Sequence, residues 1–60
     1  PLGHLLGDLF EAQDREELVE LLREARASQL PQSDRARVWR DAVDRARVLG
    51  LTPEQLRSAL

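Results

Sequence analysis

Apolar residues recur at intervals of three and four along this chain, and no five-residue stretch alternates apolar and polar side chains with β-branched content. A helix turns about 100° per residue, so that spacing draws a stripe down one face, whereas a half-buried strand needs a period of two. The stripe has to be hidden by only 60 residues, none of them cysteine. Disulfides and thiolate zinc sites are therefore excluded. A domain this small has a thin core, and such domains usually lean on a cross-link, a metal or a second chain. His4 has no cysteine or second histidine with which to share a metal, so neither metal nor cofactor is expected. What remains is close helix packing, or burial against another chain. The fold expected is all-α: a small bundle of three to four helices built on a central antiparallel helix hairpin and able to dimerise.

The local signals divide residues 5–60 into four helices of one domain. The first, over 5–12, carries Leu5, Leu6, Leu9 and Phe10, and is weakened by Gly7. The second, over 14–27, starts with Asp14 as cap and Glu17 at capping-box spacing, and offers Leu18, Leu21, Leu22 and Ala25 as its apolar face with Val19 on the flank. Residues 28–32 read as a loop broken by Pro31. The third helix, over 34–49 from a start at Ser33 or Asp34, repeats Val38, Trp39, Ala42, Val43, Ala46 and Leu49, with Gly50 as its C-terminal cap. Arg37–Asp41 and Arg40–Asp44 stand at ion-pair spacing on its outer face. The fourth, over 53–60, has Thr52 as cap, Pro53 at the first position, Gln55 to complete a box, and Leu51 set to staple against Leu56. Pro1-Leu2-Gly3 matches the remnant of a 3C-type protease cut, so residues 1–4 are expected to be a tag-cleavage scar.

Several function classes lack the residues they need. No unbroken apolar run exceeds two residues, which is too short for a membrane span, and no leader pattern is visible. A cytoplasmic or nuclear setting is the default expectation. No serine has a neighbouring base, there is no glycine-rich phosphate loop, and the carboxylates fall on solvent faces. An enzyme acting on a small-molecule substrate is not expected. Net charge is −2 but unevenly spread, −5 over residues 1–24 and +3 over residues 25–60. An acidic second helix could meet an arginine-bearing third helix, either within one molecule or across two.

Two patterns carry the partner-facing candidates. Leu5-Leu6-Gly7-Asp8-Leu9-Phe10 has the paired-apolar form of a helical segment that docks into a groove, but a domain this small needs every apolar side chain, which favours a core role for these leucines. Trp39, the only tryptophan, falls on the stripe with Ala42, Val43 and Ala46. It is either core or an interface anchor with a shallow groove beside its ring, since tryptophan and arginine dominate binding hot spots. The candidate surface combines Trp39, Val43, Leu6 and Phe10, rimmed by Arg40, Arg47 and Glu20.

The expected function is a helical protein–protein interaction or oligomerisation module whose partner is another protein chain, a second copy or a different protein. The alternative is a regulatory module on nucleic-acid-binding machinery, for nucleoid or transcription control, using Arg35, Arg37, Arg40 and Arg47 of the third helix, with Asp41 and Asp44 interrupting that face. Residues 5–49 also loosely resemble the Hha family of small helical bacterial regulators, through the short first helix and Val38-Trp39 followed by Ala42 and Asp44. That resemblance implies a nucleoid-organising partner. The charge pattern departs from that family's, so no residue role is carried across.

Overall fold

A few side chains decide where each helix begins and ends. In the computed structural model, which describes residues 2–60, the order is α1 (Leu2–Glu11), α2 (Arg15–Ala27), α3 (Gln32–Val48) and α4 (Pro53–Ala59). At the start of α2 the Asp14 carboxylate accepts the Glu17 N–H at 2.9 Å, while Glu17 reaches back to the N–H of Gln13 rather than that of Asp14. The box is thus displaced by one residue, yet two otherwise unpaired donors are still satisfied. At α4 the box is complete, with Thr52 Oγ1 accepting from Gln55 N–H and Gln55 Oε1 accepting from Thr52 N–H.

Two starts differ from expectation. Helix α3 begins at Gln32, with Pro31 at the N-cap position and its carbonyl accepting from Arg35 N–H at 2.9 Å. Proline has a fixed φ and no N–H to lose, so it fits at a helix entrance. Ser33 and Asp34 consequently lie inside the first turn, where the Asp34 carboxylate faces the positive end of the helix dipole. Helix α1 begins at Leu2 rather than Leu5, because Leu2 continues the spacing of Leu5, Leu6 and Leu9 and packs against the core. Residues 2–4 of the expected scar are therefore helical, and Pro1 lies outside the described residues.

Left-handed backbone closes two helices. After α3, Gly50 N–H donates to the Arg47 carbonyl and Leu51 N–H to the Ala46 carbonyl at 2.8 Å, with Gly50 at φ +78°. This pairing is the Schellman arrangement. After α2, Gln29 takes the equivalent place at φ 54° with a side chain attached.

The helices assemble as a bundle in which α1 and α2 both pack on α3, and α4 packs on α3. The radius of gyration is 10.3 Å, against about 10.4 Å for a compact domain of this length. The core consists of Leu9, Ala12, Leu18, Val19, Leu22, Ala25, Val38, Ala42, Ala46 and Leu56. In α2, Val19 is buried and Leu21 only half-buried, the reverse of the sequence expectation, because the buried arc is rotated toward the Val19 side. Among the described residues no helix is long and apolar enough to cross a membrane.

Three backbone substitutions test this account by urea denaturation. Gly50→Ala should cost about 1–2 kcal/mol, although a Cβ there would meet nothing within 4 Å, since the cost is purely conformational. Gln29→Gly should stabilise by up to about 1 kcal/mol for the converse reason. Gly7→Ala, also with open space around the new Cβ, should stabilise by up to about 1 kcal/mol. A destabilising Gly7→Ala would show that α1 is not held as described.

Candidate functional site

The site is made by apolar side chains that find no place in the core. On α1 the buried arc is centred on Leu9, which has no exposed surface. Phe10 follows one residue later, about 100° around the helix, and is 78% exposed. Leu6, one turn before Phe10, is half-buried. On α3 the buried residues are Val38, Ala42 and Ala46, whereas Val48 falls off that arc and is 70% exposed. Leu6, Phe10 and Val48 line a groove of about 270 Å³ between α1 and α3, together with Asp41, Asp44 and Arg45.

Charge around the groove is arranged unevenly. Arg45 donates from Nε to the Ala12 carbonyl at 2.6 Å in a partly buried bond. That carbonyl lies just beyond the end of α1, so the bond ties the end of α1 to α3 and sets one wall of the groove. Asp44 is 3.8 Å from Arg47, with both side chains well exposed, and a solvated pair of this kind contributes little energy. Asp41 is half-buried and has no ion-pair partner among the described residues. The expected Arg37–Asp41 and Arg40–Asp44 pairs do not form. The ion pairs among the described residues are Arg23–Glu20 and Arg47–Asp44, each three residues apart within one helix.

The sequence-derived surface is divided by α3. Leu6 and Phe10 lie on the groove side. Trp39 and Val43 lie on the other flank, since Trp39 and Asp41 fall about 160° apart around the helix. Trp39 is half-buried against the core, with the Arg57 guanidinium 5.2 Å from its ring centroid. Ala42 and Ala46 are fully buried, so neither alanine offers an exposed floor beside the ring. Arg40 and Arg47 are exposed on the outer side of α3, and Glu20 is exposed on α2 beside Arg23.

Phe10 was expected at a core position as well as at a partner surface, and its exposure places it on the surface. The paired-apolar segment is likewise split. Leu9 is committed to the core, Leu5 and Leu6 are half-buried against it, and Phe10 alone is free. The sequence reading missed Val48, Asp41, Asp44 and Arg45 as groove residues. Val48 was detectable as a large apolar residue lying off the Val38–Ala42–Ala46 stripe. The other three required knowing which flank α1 covers.

No protein-family model, curated protein or solved structure matches this chain. Among the described residues, no cluster of three histidine or acidic side chains that could hold a metal is present.

Adjacent residues on α1 should respond very differently to truncation. Leu9→Ala should cost about 2–5 kcal/mol, as a fully buried leucine. Phe10→Ala should change stability by less than about 0.5 kcal/mol. Equal costs in chemical denaturation would mean that Phe10 is buried in the free protein.

Proposed function

We propose that the chain is a helical protein-interaction module that takes its partner on the Leu6–Phe10–Val48 face. In this reading α2 and α3, joined by residues 28–31, serve as the central antiparallel hairpin, and α1 is held against α3 to present the face. The observation that carries the proposal is the position of Phe10, the chain's only phenylalanine, next to Val48 in one groove, with both largely exposed. Single exposed apolar residues are ordinary on protein surfaces. An exposed aromatic ring beside an exposed valine, lining a concave site rimmed by polar groups, has the makeup of an interface anchor.

The alternative of a nucleic-acid-associated regulator draws less support. Arg45 is engaged with the Ala12 carbonyl, Arg47 lies beside Asp44, and Arg57 covers Trp39. A phosphate backbone would meet the arginines of α3 interspersed with Asp41 and Asp44. The single tryptophan is stacked under Arg57 and half-buried, and so is poorly placed to receive a base.

Photo-crosslinking tests the interaction reading. A benzophenone side chain placed at position 10 should give discrete crosslinked species in extracts of the source cells. Excess unlabelled protein should compete for them, and protein carrying both Phe10→Asp and Val48→Asp should not. The same photoprobe at the exposed Ser58 should not produce those species. Identical patterns from the two positions would reject the face as a binding surface.

A further inference from the structure

The groove also carries information about the chemistry of what occupies it. We infer that its occupant is a short amphipathic helical segment of a different protein, with apolar anchors seated between Phe10 and Val48 and an arginine or lysine set against Asp41. The inference rests on the interaction reading given above and narrows it to one class of partner.

Charge is the first argument. Asp41 lines the groove half-buried and without an ion pair among the described residues. Asp44 stands beside it, and its contact with Arg47 is long and solvated. The third charged residue of the lining, Arg45, keeps its charge but is tied through Nε to the Ala12 carbonyl. Two carboxylates against one guanidinium leave the lining at −1, so an incoming group meets a net negative edge, with Asp41 unpaired among the described residues, next to an apolar floor. A cation on the partner is complementary to that edge, and a carboxylate is repelled by it.

Size and symmetry are the second argument, and they separate a different protein from a second copy of this chain. A stable interface of ordinary size buries about 800 Å² on each partner, close to a fifth of the 4250 Å² that this molecule exposes. Even full burial of an aromatic side chain covers only about 150–250 Å², so Phe10, Val48 and the exposed part of Leu6 fall well short of that footprint. A two-fold pair would also place the same patch against itself, so that a net negative lining would face an identical net negative lining. A helical segment of a few turns needs only a narrow footprint and brings its own charge. Groove docking of such segments through apolar residues spaced three and four apart is a recurrent mode of recognition.

Two pools of synthetic peptides test the inference. Each peptide is about sixteen residues long, enough to form helix, with mixed leucine, isoleucine, valine and phenylalanine on one face. One pool carries arginine on the flanking positions and the other glutamate. The arginine pool should bind the intact protein about tenfold more tightly or better. Asp41→Asn should narrow that gap several-fold, and Phe10→Ala should abolish binding of both pools. Equal binding of the pools, preference for the glutamate pool, or a gap unchanged by Asp41→Asn would overturn the inference, and Phe10-dependent binding in those cases would leave the interaction reading standing. Binding indifferent to Phe10→Ala would overturn both. Phe10-dependent self-association in light scattering, competing with the peptides, would assign the groove to a second copy and overturn the inference alone.

Discussion

Everything in this molecule depends on how closely α1 and α2 can approach α3. That distance is set by what α3 places between them, and its fully buried residues are small, namely Val38, Ala42 and Ala46. Helices separated by alanines pack closer than helices separated by leucines. The large side chains come from the other elements, with Leu9, Leu18 and Leu56 completely enclosed. Among the described residues the result is a core of ten buried side chains, none of them aromatic. Among the described residues no polar or charged side chain is fully buried, so the core needs no internal hydrogen bonds to be satisfied.

The exposed face follows from that close approach. With α1 rotated so that Leu9 points inward, helical geometry carries Phe10 out toward solvent. With α3 rotated so that its alanines point inward, Val48 is carried to the same side. The Arg45 bond to the Ala12 carbonyl then fixes the end of α1 against α3. Three requirements of folding, two set by the rotation of a helix and one by a bond between α1 and α3, thus leave an aromatic ring and a valine together beside two carboxylates. The tryptophan takes the other flank, where Arg57 covers it and links α4 to α3, while Arg23 donates to the Ala59 carbonyl and links α2 to the end of α4.

The number and type of the elements were legible in the sequence because caps and periodicity are local signals. Thr52 and Gln55 mark the start of α4 through their reciprocal bonds, Pro53 through its fixed φ, and Gly50 marks the end of α3 through its bond to the Arg47 carbonyl. The start of α3 was misplaced because serine and aspartate are strong cap residues, whereas Pro31 contributes through the shape of its backbone and has no side-chain cap bond. The site was legible only in part. Periodicity locates a stripe on each helix, but it does not say which edge of the stripe a neighbour covers. Leu21 and Val19 exchanged roles for that reason, and Trp39 and Phe10, both on the apolar side of their own helices, ended on opposite flanks of α3.

The claim on which the rest stands is that the ring of Phe10 faces water in the free protein. It is the only phenylalanine, so incorporation of fluorophenylalanine places one fluorine label in the chain. The direct measurement is fluorine NMR of that label with a soluble paramagnetic agent added. The account predicts one resonance, broadened strongly by the agent and unchanged on dilution of the protein. A resonance shielded from the agent at every protein concentration would contradict it, since the ring would then be covered by the chain itself.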